Sequence, residues 1–331
     1  MSIWQELSKP FFILAPMEAV TDTVFRRVIA KAAKPDLFFT EFTNATGWVH
    51  AGDKAVAGRL DIVDQEVEQP IIAQIWGGVP EDIAKLAIHC SKLGYKGIDI
   101  NMGCPASSAL KGSGGSDLIR NPELASEIIS AAKAAGLPVS VKTRLGYSKP
   151  DEWHTWLGHL LKQDIVALTV HLRSKKEMSK VPAHWELMPN IKKFRDEIAP
   201  QTLLIGSGDA EDRQHGLKLI EQTGIDGIMM GKGVFTNIFA FETLPRIHSQ
   251  TELITMLKYH LDLFEEKHLL TAESSLPEQP AQNRLYNKPY ETLKRFFKIY
   301  IRDFPGSSEL RVRLMETSTI PEARAILDQI K

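Results

Sequence analysis

The sequence predicts a (β/α)8 barrel over residues 1–245 followed by a small C-terminal helical bundle over residues 246–331. Three observations lead there. Eight short apolar runs alternate with helical patterns, hydrogen-bonding or ionisable side chains gather at their ends, and the strand pattern stops after about residue 245. Runs that are apolar without alternating suit parallel strands buried on both faces.

In chain order the runs are 11–15, 37–40, 71–75, 97–100, 139–141, 165–170, 203–205 and 227–230. Apolar residues at helical spacing lie between most of them, at 21–31, 81–93, 122–135, 152–162, 185–197 and 211–223. The second unit is the weakest, since residues 44–68 do not resolve into one helix. Helical periodicity then takes over at 252–270, 290–303, 308–315 and 321–330, and the polar segment 271–283, with two prolines, reads as a loop.

Composition narrows the class. A hydrophobic share of 43% and a charged share of 24% belong to an ordinary globular protein able to fill a sizeable core. No stretch approaches the roughly 20 apolar residues of a membrane span, and the first ten residues lack a signal-peptide layout, so a cytoplasmic location is expected. Two cysteines, Cys90 and Cys104, exclude a disulfide framework and point to a reducing compartment. With a net charge of −1, affinity for nucleic acid has to come from a local patch.

Active sites of such barrels are assembled at the C-terminal ends of the strands. Here those ends read Pro16-Met17-Glu18, Glu41, Gln74, Asn101 to Cys104, Lys142 to Arg144, His171 to Arg173, Ser207 to Asp209 and Gly231 to Gly233. Gly206-Ser207-Gly208-Asp209 and Gly231-Lys232-Gly233 follow the seventh and eighth runs, the usual phosphate position of the barrel, where Lys232 adds a point charge. Neither a GxGxxG after the first strand nor a P-loop occurs, which leaves a mononucleotide cofactor as the owner of the phosphate.

A flavin needs amide and cationic partners at its isoalloxazine edge, and Gln74 and Lys142 are the candidates. A lysine closing a buried run is costly without an anionic partner. His171, ending another buried run, is either a ligand-facing group or a satisfied core histidine. Cys104 opens a small-residue loop, 107–116, and could be a nucleophile, a proton donor or an inert thiol. A thiol near its unperturbed pKa of about 8.5 stays protonated at neutral pH and suits a general acid. Cys90 lies in a helical pattern and reads as packing. No catalytic triad and no metal-type His or Cys spacing is present, so no metal is expected.

Together these motifs resemble the bacterial tRNA-dihydrouridine synthases. The resemblance is carried by Ala15-Pro16-Met17 with Val20-Thr21-Asp22, Thr40-Glu41, the Gln74 strand end, Asn101-Met102-Gly103-Cys104-Pro105, Val141 to Gly146, Val170-His171, Gly206 to Asp209 and Asp226 to Gly233. Leu293 to Tyr300 and Phe304 to Arg311 resemble the family's helical domain, so the likeness spans nearly the whole chain. It implies FMN held by Pro16, Met17, Glu18, Gln74, Lys142, His171, Ser207, Gly208, Asp209, Gly231 and Lys232, with Cys104 as proton donor. Three departures stand out: Ser207 where asparagine is common, Lys232 where arginine is common, and Leu172 within the usual His-Gly-Arg-Thr stretch.

The implied reaction reduces uridine in tRNA to dihydrouridine, with NADPH (or NADH) reducing FMN, hydride passing to C6 of uracil and Cys104 protonating C5. Asn101, Arg144 and Arg173 are the expected substrate contacts. From Arg284 to Arg313, eight Lys/Arg against three Asp/Glu interleave with Tyr286, Tyr290, Phe296, Phe297 and Tyr300, the charge and aromatic surface that RNA prefers. A monomer is expected. The competing readings are a small-molecule flavin dehydrogenase on the same barrel, which would not need the basic appendage, and an RNA-binding protein without catalysis, which would not need Cys104, Lys142 and His171. The modified position, and whether ribosomal RNA is also a substrate, are not encoded in these motifs.

Overall fold

A computed structural model describes residues 2–56, 58–64, 68–270 and 288–330. Its strands are β1 (Phe11–Leu14), β2 (Phe38–Phe39), β3 (Thr43–Asn44), β4 (Ile71–Trp76), β5 (Ile98–Met102), β6 (Val139–Arg144), β7 (Ala167–His171), β8 (Leu203–Ser207) and β9 (Gly227–Met230). All pairings are parallel, in the order β1-β9-β8-β7-β6-β5-β4-β2, with β3 also on β4. The ring closes through a parallel bridge between Ile13 and Leu37, with Leu14 N–H donating to Leu37 O at 3.2 Å. Each of the eight apolar runs thus supplies one barrel strand; β3 is the addition, a two-residue extension past the end of β2.

Alternation inside each strand divides the core. Phe11, Ile13 and Ala15 point into the barrel with Leu37, Phe39, Ile72, Ala167, Ile205 and Met229, whereas Phe12 and Leu14 face the helix layer. Ile3 and Trp4 plug the N-terminal end, Trp4 meeting Phe11 and Phe39 edge-on at 6.4 and 6.3 Å. Because that end is filled with hydrocarbon, a polar site can open only at the other.

The outer layer holds α1 (Thr23–Ala33), α2 (Ala45–Ala51), α3 (Pro80–Lys92), α4 (Ser107–Lys111), α5 (Pro122–Lys133), α6 (Trp153–Leu161), α7 (Met188–Ile198), α8 (Arg213–Thr223) and α9 (Gly233–Thr236). Start signals are local: Asp22, Asn121 and Asp212 accept from the backbone of the first turns of α1, α5 and α8. The stretch left unresolved by periodicity is α2, a 3-10 turn (Gly52–Val56) and a tertiary anchor. That anchor is the fully buried pair Arg26–Glu68, whose carboxylate also accepts from Thr23 Oγ1 at 2.6 Å and from the N–H groups of Val63 and Asp64 at 2.9 and 3.0 Å.

The C-terminal part comprises α10 (Gln250–Glu265), which runs into a π turn (Glu266–Leu270), then α11 (Glu291–Lys294), α12 (Phe297–Tyr300), α13 (Ser307–Glu316) and α14 (Ile320–Leu327). Ser249 and Glu252 form a capping box on α10. The helix expected over 290–303 is two short pieces, and the loop expected over 271–283 lies outside the described residues.

One expectation is corrected here. Tyr290, Phe296, Phe297 and Tyr300 are 6%, 5%, 0% and 0% exposed, so they are core and not a surface for stacking bases. Phe296 turns toward the barrel and stacks on Phe25 at 5.0 Å, whereas Tyr300 packs among the C-terminal helices, its OH bonding His260 Nδ1 of α10 at 2.8 Å. Tyr286 and Arg284 lie outside the described residues. The cations behave differently, with Arg295 and Lys298 exposed. No helix among the described residues is long and apolar enough to cross a membrane.

Candidate active site

Strand register sorts the inward polar residues into rows. Gln74 lies opposite Asp99 and Asp99 opposite Ser140; Asn101 lies opposite Lys142; Arg144 lies opposite His171 and His171 opposite Ser207. The polar groups therefore climb from the barrel interior to its C-terminal mouth on adjacent strands.

Cys104 is set by the turn that follows β5. Asn101 Oδ1 accepts from the N–H groups of Gly103 at 3.0 Å and Cys104 at 2.9 Å, a side-chain turn that fixes the chain as it leaves the strand. The small-residue loop then folds back, and Ser116 donates both its N–H and its hydroxyl to Cys104 O at 3.0 Å. Gly115 permits this return: its φ is +57°, and a Cβ there would lie 2.7 Å from Cys104 O. Burial raises the Cys104 thiol above its ordinary pKa, so it is protonated at neutral pH, while the side chain remains partly accessible.

Beside it lies a group of cations. Burial, then repulsion from Arg144, brings Lys142 down to about 8, and no hydrogen bond to its ammonium forms among the described residues. Arg144 donates to the carbonyls of Gly103 at 2.8 Å, Ser174 at 3.2 Å and Met178 at 3.0 Å, and burial lowers it to about 10. Burial and the surrounding Arg144, Lys142, Arg173 and Lys232 push His171 well below its ordinary value, which keeps the imidazole neutral. Its Nε2 faces Arg173 Nη1 at 3.5 Å. A guanidinium has no acceptor, so this geometry assigns the ring proton to Nδ1, which is buried without a partner among the described residues.

Arg173 is 4% exposed and committed to protein groups, donating to Val181 O at 2.6 Å and to the Asp209 carboxylate. Burial alone would raise Asp209; the bonds from Arg173 and from Ala183 N–H carry it below the usual carboxylate range. Gly208 has φ +124°, and a Cβ there would meet Ala183 Cβ at 2.9 Å, so the turn after β8 accepts only glycine without strain. At the adjoining ends of β9 and β1, Pro16 is buried, Gly231 lies against Ala15 and Met17, and Lys232 precedes α9. Glu18 sits on the outer lip, exposed and paired with Arg59 at 3.4 Å.

Gln74, Asn101, Cys104, Lys142, Arg144, His171, Arg173, Ser207, Gly208 and Asp209 thus share one mouth, continued past the β8 end by Gly231, Lys232, Pro16 and Met17 at the ends of β9 and β1, with Glu18 outermost. Two groups had no role assigned from sequence. Asp99 was hidden inside an apolar run, its only signal being a lone acid in Ile98-Asp99-Ile100. Glu41, 3% exposed, keeps Oε1 buried without a partner among the described residues, and burial raises its carboxyl. Among the described residues no cluster of three or more His, Cys, Asp or Glu could hold a metal.

The family model for dihydrouridine synthase (Dus) matches residues 13–331. The chain belongs to the dihydrouridine synthase family. Among curated relatives of this synthase, it is 54% identical over 331 residues to the probable tRNA-dihydrouridine synthase 2 of Bacillus subtilis (strain 168), covering 100% of this chain and 97% of the relative. It is 52% identical to the probable tRNA-dihydrouridine synthase of Staphylococcus aureus (strain COL), covering 100% and 96%. Among solved structures, morphinone reductase in complex with tetrahydroNAD is similar with a TM-score of 0.48 at 14% identity, over 71% of this chain and 86% of that one.

Proposed function

We propose that this synthase reduces specific uridines of tRNA to 5,6-dihydrouridine, with FMN as its flavin, NADPH as reductant and Cys104 as the acid. The carrying observation is Cys104 itself: a protonated, partly accessible thiol clamped at the barrel mouth by Asn101 and Ser116, next to Lys142 and Arg144. Membership in the dihydrouridine synthase family supplies the reaction class.

The residues present fit a flavin. An unpaired Nδ1–H on His171 and an ammonium on Lys142 without a hydrogen bond are donors awaiting acceptor atoms that carry negative charge. Lys142, His171 and the remaining amide N–H of Gln74 would hold the isoalloxazine edge, with Pro16, Met17 and Glu18 along the rim. Ser207, Gly208, Asp209, Gly231 and Lys232 would hold the phosphate end. FMN, bound and reduced, supplies the hydride that uracil C6 accepts.

This chain does the rest. Cys104 Sγ–H gives its proton to uracil C5, completing the addition of hydride and proton across the C5=C6 bond, and solvent reprotonates the thiolate through its accessible side. Asn101 and Arg144 line the substrate side, and Arg173 we assign to bracing Asp209. The target base must leave its stack to lie in the mouth, at a cost of a few kcal/mol that phosphate contacts offset. The exposed Arg295 and Lys298 and the half-buried Lys294 and Arg311, around Val312 and Met315, form the groove we assign to tRNA, within a helical domain taken to begin at residue 246. A tRNA substrate supports a cytoplasmic location.

The test is Cys104→Ala. Dihydrouridine formation with tRNA should fall by about 10²–10⁴-fold while FMN stays bound and NADPH-reducible. Undiminished turnover would sink the acid role.

A further inference from the structure

Asp99 is buried on the middle of β5, away from solvent and from the mouth, yet it begins an unbroken chain of hydrogen bonds to Cys104. Its carboxylate accepts from Ser140 Oγ–H at 2.6 Å and from Gln74 Nε2–H at 2.7 Å. Gln74 Oε1 in turn accepts from Asn101 Nδ2–H at 3.1 Å. That leaves Asn101 Oδ1 for the N–H groups of Gly103 and Cys104.

A side-chain amide has a donor end and an acceptor end of nearly equal size, so each link could be reversed by a flip. Reversal is not neutral at the far end. With Gln74 flipped, its N–H would oppose the Asn101 N–H, and a compensating flip of Asn101 would set its NH2 against two backbone donors. The two backbone donors fix the polarity at one end of the chain, and a carboxylate, which only accepts, fixes it at the other. Ser140 and Gln74 both point donors at it.

We propose that Asp99 is a positioning residue for the reaction, fixing the sense of the Gln74 and Asn101 amides so that Asn101 presents its oxygen to the Cys104 turn. This rests on the reading of Cys104 as the proton donor. Lys142, one strand over, is the cation that also feels Asp99, so the competing role is plain counter-charge to that ammonium. The two roles make opposite demands on the acceptor and the charge.

The experiment measures alkylation of Cys104 in the intact protein, with the adduct located by mass spectrometry. Cys90 is fully buried and does not compete. Asp99→Asn removes the charge but keeps an acceptor for Gln74, with Ser140 able to accept from its amide; Asp99→Ala removes both. Gln74→Met cuts the same chain at its next link and serves if Asp99→Ala fails to fold. The proposal expects several-fold altered alkylation in Asp99→Ala and Gln74→Met, and wild-type alkylation in Asp99→Asn. In single turnover with tRNA, Asp99→Ala should slow uridine reduction by about tenfold or more with NADPH reduction of the flavin unchanged, whereas Gln74→Met, which also takes an amide from the flavin edge, is read by alkylation alone. Equal effects of Asp99→Asn and Asp99→Ala would assign Asp99 to charge and overturn the relay. So would a Cys104 whose alkylation ignores Gln74→Met. Alkylation needs neither flavin nor RNA, so a failure of the acid role of Cys104 registers separately, in the Cys104→Ala turnover assay.

Discussion

Burial around Cys104 gives the thiol the properties a proton donor requires. The unperturbed value of about 8.5 already leaves a thiol mostly protonated at neutral pH, and burial raises this one further. With Cys104 in the proposed acid role the protonated form is the active one, so activity is present below the raised pKa and lost as pH rises through it. Single-turnover uridine reduction should therefore be flat through neutrality and fall only in alkaline solution. A fall beginning near or below pH 7 would show a thiol activated as a nucleophile instead. At this scale much was legible, because Gln74, Lys142 and His171 are polar residues closing buried apolar runs. Asp99 was not, since its purpose depends on neighbours 25 and 41 positions away in sequence.

Among the elements, the eight barrel runs were visible because burial on both faces leaves a plain apolar signature. The segment after β2 was not, because it is held by a tertiary ion pair and not by periodicity. Arg26 and Glu68 are both fully buried, and Arg26 also donates to Thr21 O at 2.8 Å and Asp61 O at 2.5 Å, tying α1 to the chain that precedes β4. Glu68→Gln strands a buried guanidinium, and denaturant unfolding should show a loss of about 3–5 kcal/mol. A loss under about 1 kcal/mol, the value of a solvated surface pair, would contradict this account.

Across the whole molecule, barrel and C-terminal helices share one continuous apolar core through Phe25, Phe235, His260, Phe296 and Tyr300. Phe296, one of the aromatics that a sequence reading offers to RNA bases, instead joins the two parts by stacking on Phe25 and Phe235. Helical spacing alone does not say which face is buried, whereas the cations between those aromatics are forced outward. Reversing Arg295 and Lys298 to glutamate should weaken tRNA binding and lower its salt dependence by about 0.7–0.9 in log–log slope per lost phosphate contact. Unchanged affinity and slope would move the RNA path elsewhere. With tRNA proposed to lie along the helices and reduction proposed at the mouth, this chain makes dihydrouridine in tRNA. Mass-spectrometric mapping of dihydrouridine in tRNA and ribosomal RNA from cells with and without the gene tests it most directly. Dihydrouridine should be lost at particular tRNA positions and restored by the wild-type gene but not by Cys104→Ala; unchanged dihydrouridine at every position would contradict this function.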